Sequence, residues 1–167
     1  MTHALDRNEW AARTVASTAP RRVLELGCGR GVALGSLAEL LPDAQLVGVD
    51  RSPAAISAAR ARLGDAGDRI RLVRAGIAGL EVGEPGFDVV FAVNVNAFWL
   101  APDRELATVR RLLAPDGRLL LFYEPPSEGQ GERIARDGAD RLASHGFEVT
   151  WLRHPLSKGV GIGFVAR

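Results

Sequence analysis

Strands alternating with helices and closing on a hairpin predict an α/β fold: a doubly wound three-layer sandwich around a mostly parallel seven-stranded sheet with one antiparallel strand. Three observations carry this. Short apolar runs rich in Val, Leu and Ile recur between helical stretches, as in strands buried on both faces. The run Val23-Leu24-Glu25-Leu26 passes directly into Gly27-Cys28-Gly29-Arg30-Gly31 and then into a helical pattern, the order of a parallel strand–helix unit. The last two apolar runs, 147–152 and 160–166, are separated only by 153–159. That is too short for a crossover, so the two runs pair as an antiparallel hairpin.

Each element has its own signal. Residues 2–18 read as a helix with Leu5, Trp10 and Val15 as its main apolar residues, and Pro20 marks its end. It lies outside the repeating pattern, so residues 1–20 are taken as an N-terminal helix or cap and 21–167 as a single domain. Strand one is 22–26. A helix over about 30–41 presents Leu34, Leu37, Ala38 and Leu41, and Pro42-Asp43 stops it. Strand two, 45–49, ends against Asp50. Ser52 is an N-cap and Pro53 a first helical residue, so a helix runs from there to Leu63. A turn over 64–68 leads to strand three, 70–74. The glycine-rich stretch 75–86 is a loop, and 87–93 is the most apolar strand and the central one. A loop or short turn over 94–100 precedes a helix over 103–113. Pro115-Asp116-Gly117 reads as a turn before strand five, 119–123. The final helix covers about 132–144.

Composition bounds the function. A chain of 167 residues suits one domain with a real core. Net charge is +1 with no long single-sign run and no basic stripe, which argues against nucleic acid as a partner. Lys158 is the sole lysine among many arginines, which reads as the codon bias of a GC-rich genome. The single Cys28 excludes an internal disulfide and fits a reducing compartment. No apolar run approaches the roughly 20 residues of a membrane-spanning helix, and Asp6, Arg7 and Glu9 interrupt any leader-like apolar region. The expected location is cytoplasmic. No histidine or cysteine has metal-ligand spacing, so no metal is expected.

In such a sheet, ligands bind beyond the carboxyl ends of the strands beside strand one. Gly27, Gly29 and Gly31 let backbone approach a ligand there, and the helix behind them offers free N–H groups. Two ligand classes use this layout. A dinucleotide fingerprint has the form G-x-G-x-x-G/A, and its small third position would here be Val32. The pattern present is an acidic residue followed by G-x-G-x-G. Asp50, at the tip of strand two, can accept from both hydroxyls of a ribose. Arg51 can stack on adenine or stand in solvent, and an arginine after a ribose acid also suits an NADP phosphate. Glu25 lies within an apolar strand, where an unpaired charge is costly. Cys28 reads as a small packing residue of the glycine turn.

The segment Glu25-Leu26-Gly27-Cys28-Gly29-Arg30-Gly31, with the terminal hairpin, resembles the first motif and the sheet ending of class I S-adenosylmethionine-dependent methyltransferases. The resemblance covers about residues 22–167. It implies S-adenosylmethionine as cofactor, with Glu25 at its methionine end, Asp50 on its ribose and the turn residues Gly27, Cys28, Gly29 and Gly31 around it. The stretch 74–80 has no acid where many relatives have one for adenine, so backbone at Gly76 and the N–H near Ile77 or Ala78 are left for an adenine ring nitrogen, with Glu81 a candidate for the amino group. The Asn94 carbonyl is expected to receive the methionine ammonium. Asn96, Phe98 and Trp99 are candidates for an acceptor pocket, with Phe98 and Trp99 equally suited to core. Glu124, ending strand five on the same side, is the candidate general base or substrate contact. Residues 1–20, with Trp10, and the loops near Asn96, Pro126 and Pro155 are the segments able to form a lid. The implied function is methyl transfer to a small-molecule acceptor. The alternatives are a non-catalytic binder of S-adenosylmethionine or S-adenosylhomocysteine and an NAD(P) oxidoreductase. A homodimer is left open.

Overall fold

The computed structural model describes residues 5–64, 69–100 and 102–167, so the turn expected at 65–68 and the first residues of the expected N-terminal helix lie outside the described residues. The elements are α1 (Arg7–Ala16), β1 (Arg22–Leu26), α2 (Val32–Leu40), β2 (Gln45–Asp50), α3 (Pro53–Leu63), β3 (Ile70–Arg74), β4 (Phe87–Val93), α4 (Ala97–Leu100), α5 (Asp103–Leu112), β5 (Leu113–Tyr123), α6 (Glu128–Ser144), β6 (Val149–Pro155) and β7 (Val160–Ala166). The sheet order is β3-β2-β1-β4-β5-β7-β6, with β7 antiparallel to both neighbours. The α/β sandwich and its terminal hairpin are therefore as the sequence predicts, and β4 is central. From β1 the chain steps to β2 on one side, and it later returns to β4 on the other. That reversal opens the crevice at the carboxyl edge of β1.

Alternation along the strands divides the core in two. Leu24 and Leu26 face one apolar cluster with residues of α5 and α6, while Val23 faces another with residues of α1 and α2. Ser52 caps α3 by accepting from the Ala55 N–H at 3.2 Å, with Pro53 at the first helical position, as expected. The Pro115-Asp116-Gly117 turn is absorbed into β5. Phe87 of β4 pairs with Leu113 and Val89 with Arg118, so the intervening residues of β5 bulge out of the ladder. Gly117 is required there, because a Cβ would sit 2.6 Å from the Phe87 carbonyl oxygen. The strand expected from residue 147 starts at Val149 instead, and Phe147 is buried in the core. His145 closes α6, its Nδ1 2.8 Å from the Arg141 carbonyl and its Nε2 2.8 Å from an Asp103 carboxylate oxygen.

The N-terminal helix is built into this core. Asp6 caps it by accepting from the Asn8 and Glu9 N–H groups at 2.8 and 2.9 Å. Trp10, Ala11, Ala12 and Val15 are buried. Trp10 lies over Gly161 and Gly163 of β7, where a Cβ would come 2.5 and 3.0 Å from indole carbons. Its ring meets Phe122 edge-on at 4.9 Å and stacks on His154 at 5.3 Å. Two strand glycines thus make the recess that the indole fills. Trp10 is core, which corrects its expected place in a lid. Replacing Trp10 by Ala should destabilise the fold by about 3–5 kcal/mol, as for other buried aromatic truncations. Chemical denaturation checks this, and a loss under 1 kcal/mol would mean that α1 is only loosely attached.

Candidate cofactor site

The carboxyl ends of β1, β2 and β4 converge on the glycine turn. Gly27, Gly29 and Gly31 all have positive φ, at 70°, 53° and 72°, which side chains disfavour. Their surroundings differ. A Cβ on Gly27 would lie 2.6 Å from Val95 Cγ2, and one on Gly31 would lie 3.2 Å from Ala59 and Leu63. These two glycines allow the chain to pack. Gly29 has nothing within 4 Å of that position, so it borders open space. Gly31 precedes α2 without a side-chain cap.

Asp50 ties the turn down. One carboxylate oxygen accepts from the Gly29 N–H at 2.9 Å, and the other accepts from the Ser52 N–H at 2.9 Å. Each oxygen keeps capacity for a further donor. Arg51, next along, is exposed. The Cys28 N–H donates to the Val49 carbonyl at 2.9 Å, and its carbonyl accepts from the Gly31 N–H. Its thiol packs where Gly48 makes room, since a Cβ on Gly48 would lie 3.1 Å from the sulfur. Burial, then the charges of Glu25 and Asp50, push this thiol up to about 12. It is a packing residue and not a nucleophile.

Glu25 is the unusual member. It is 2% exposed and points to the α2 side of β1. Burial holds its carboxyl well above the ordinary carboxylate range. The Leu34 N–H of α2 acts in the opposite direction, and Asp50 adds to the rise. Among the described residues its Oε2 has no hydrogen-bond partner. A buried acceptor with nothing donating to it is costly unless a ligand or water completes it.

Asn94 ends β4 in the left-handed region, with φ of 54°, a conformation that Asn tolerates better than most residues. Its N–H donates to the Phe122 carbonyl at 2.8 Å, and its side-chain oxygen accepts from the Glu124 N–H at 2.9 Å. The ends of β4 and β5 are therefore clasped together. The loop after β3 runs along the other side, where Gly76 is exposed with open space at its Cβ position. Asp50 accepts from the Ala75 N–H through its backbone carbonyl at 3.1 Å, and Thr108 Oγ1 accepts from the Gly79 N–H at 2.9 Å. Among the described residues the Ile77 and Ala78 N–H groups have no acceptor.

The expected acceptor residues divide. Asn96 is exposed, and its carbonyl starts α4 by accepting from Trp99 and Leu100. Phe98 is core. The Trp99 ring turns inward, edge-on to Tyr123 at 4.4 Å and to Phe164 at 5.9 Å, against Gly138 of α6. Its packing therefore takes it away from a pocket wall. Glu124 is not a free base: one of its oxygens accepts from Arg7 Nη1 at 2.7 Å. Sequence reasoning missed Arg7, because nothing local links positions 117 residues apart. Val32 is 36% exposed, so its bulk does not separate the two ligand classes. The close approach of α2 to the sheet falls instead at Gly48, where a Cβ would be 2.4 Å from Leu34. Among the described residues no cluster of His, Cys, Asp and Glu is arranged to hold a metal ion, and no helix is long and apolar enough to cross a membrane.

A doubly wound sheet with this crevice is the scaffold of nucleotide-type cofactor enzymes, and comparison with known proteins narrows it. Residues 23–117, more than half of the chain, match the family described as "Methyltransferase domain", and the chain belongs to that family. It is 33% identical over 130 residues to a trans-aconitate 2-methyltransferase of Acidovorax sp. (strain JS42), covering 77% of this chain and 48% of that protein. It is 31% identical over 124 residues to a demethylmenaquinone methyltransferase of Thermus thermophilus, covering 72% and 56%. The chain thus spans about half the length of the curated relatives it matches. Its fold is that of a TehB-like SAM-dependent methyltransferase from Corynebacterium glutamicum, at 24% identity and a TM-score of 0.70 over 95% of this chain and 86% of that one.

The buried Glu25 makes a pH-dependent prediction. Its folded-state value lies above the unfolded one, 4.5. Below about 4.5 both states hold the proton and stability is undiminished; as pH rises from there through the folded value, stability is lost. Glu25→Gln removes that loss. The ligand-free variant should match wild type near pH 4 and exceed it by at least about 1 kcal/mol at pH 8. Urea denaturation across this range checks the prediction, and an equal offset at both ends would contradict it.

Proposed function

We propose that the protein transfers a methyl group from S-adenosylmethionine to a small-molecule acceptor. The observation that carries the reading is the orphaned Glu25 Oε2, buried beside the open backbone at Gly29 and the half-used carboxylate of Asp50 in a chain of this family. These residues fit a nucleoside with an amino-acid tail. S-adenosylmethionine supplies a methyl group already activated by its sulfonium.

The chain's own residues bind and orient. The remaining lone pairs of Asp50 accept from two ribose hydroxyls. Glu25 completes its buried oxygen with the methionine ammonium, directly or through water, and the Asn94 carbonyl shares that ammonium. The Ile77 and Ala78 N–H groups, beside Gly76, take adenine ring nitrogens in place of the absent loop acid, and Arg51 covers the adenine from solvent. Gly27, Cys28 and Gly31 shape the turn, and Gly29 leaves the room. Alignment of acceptor and methyl group is the main task, worth about 7–11 kcal/mol in well-oriented reactions. Glu124, engaged by Arg7, acts as a substrate contact, and Asn96 lines the same mouth. The near-neutral charge and the buried lone cysteine support a cytoplasmic protein that does not act on nucleic acid.

The acid-free loop at 75–80 favours a second reading, a binder of the cofactor without catalysis. Calorimetry followed by a methyl-release assay separates the two: cofactor binding without release across acceptors supports the second. Asp50→Ala tests the ribose assignment. It removes two charge-assisted hydrogen bonds of about 1.5–3 kcal/mol each, so affinity for S-adenosylhomocysteine should fall at least a hundredfold while the far-UV spectrum persists. Retained affinity would contradict the assignment. Some loss of thermal stability is also expected, because Asp50 anchors both Gly29 and Ser52.

A further inference from the structure

Past the Asn94–Glu124 clasp, the carboxyl edge continues into a solvent-open cleft of about 590 Å³. Arg7, Lys158 and Glu124 supply its charges, and Pro125, Pro126 and Val160 supply its apolar walls. These residues come from α1, the end of β5 and the β6–β7 turn, three segments far apart in sequence. The two cations are held on fixed backbone. Leu5 accepts from the Ser157 N–H at 2.9 Å, which staples the turn bearing Lys158 to the start of α1, and Asp6 neutralises the first turn of that helix. Lys158 is the only lysine of the chain and lies in this wall.

The charges do not balance. Arg7 gives one guanidinium nitrogen, Nη1, to Glu124 at 2.7 Å and stays 43% exposed; among the described residues its Nε and Nη2 and the Lys158 ammonium have no partner. Two cations against one carboxylate leave a single positive charge. Free donors of a planar guanidinium and an ammonium lining one cleft match a flat carboxylate. A phosphate dianion would exceed the available charge and meet Glu124. The Glu124 backbone also touches Asn94, so an occupant of this cleft lies next to the cofactor site.

We propose that this cleft seats the methyl acceptor, and that the acceptor is a small carboxylic acid whose carboxylate is held by Arg7 and Lys158. The proposal rests on the proposed function for the occupant's role, but the binding chemistry is tested separately. Arg7 and Lys158 are binding residues here, with no part in moving a proton. Glu124 limits the site to one anionic group, since it spends part of Arg7 and repels a second negative charge.

The test is a titration of the protein, with and without S-adenosylhomocysteine, by butyrate, by its neutral analogue butyramide and by inorganic phosphate, followed by backbone amide shifts. Butyrate should perturb the amides at Arg7, Glu124 and 157–160 saturably, and butyramide should not. Lys158→Gln, at an exposed turn position, should weaken butyrate at least fivefold without altering S-adenosylhomocysteine affinity. Glu124→Gln should tighten butyrate severalfold, an effect opposite to that of a merely damaged site. Equal responses to butyrate and butyramide, an unchanged Lys158→Gln, or tighter binding of phosphate at the same amides would overturn the proposal. Failure of S-adenosylhomocysteine to bind would contradict the proposed function instead, and is read in the same experiment.

Discussion

The Asp50 carboxylate is the interaction on which the site depends. It lies where β2 ends, and it reaches both the glycine turn behind β1 and the first residue of the cap of α3. Without it, the turn with its three positive-φ glycines would keep the Cys28 backbone bonds and its packing but lose the side-chain anchor at Gly29. A carboxylate accepting two backbone N–H groups fixes that turn and keeps capacity for further donors. On the proposed reading, one side chain thus serves both the fold and the ligand. The fold supplies its position through the parallel register of β1 and β2, which sets Leu26 opposite Val49 and leaves Asp50 just beyond.

Glu25 is the counterpart that the fold tolerates at a cost. It occupies a strand position whose neighbours across the ladder are Gly48 and Phe91, under α2. A hydrophobic residue there would serve the core better in the ligand-free protein. Its place in so apolar a strand, with one oxygen unpartnered among the described residues, is a local departure from packing rules. The two acids thus differ: both oxygens of Asp50 are engaged within the chain, while among the described residues Glu25 Oε2 has no partner.

Much of this was legible in the chain itself. Strand periods, Ser52-Pro53 and the short final connection specify the sheet because they act locally. Gly27 to Gly31 and Asp50 stand out because their chemistry is wrong for a plain strand end. Other features depend on tertiary contact and leave no local trace. The Pro115-Asp116-Gly117 turn became a bulge because β4 and β5 keep pairing on both sides of it. Trp10 became core because Gly161 and Gly163, remote in sequence, open a recess on β7. Val32 gave the right ligand class for a reason the structure does not support, since the tight helix–strand approach is at Gly48. Arg7 was invisible beside Glu124, and Lys158 stood out only as a compositional oddity.

The most direct measurement of the central claim is a crystal structure of the protein soaked with S-adenosylhomocysteine. The account predicts both ribose hydroxyls on Asp50, the amino-acid ammonium toward Glu25 and Asn94, and the adenine along the Gly76–Ala78 backbone. Ligand density elsewhere on the sheet edge, or a ribose held without Asp50, would contradict it.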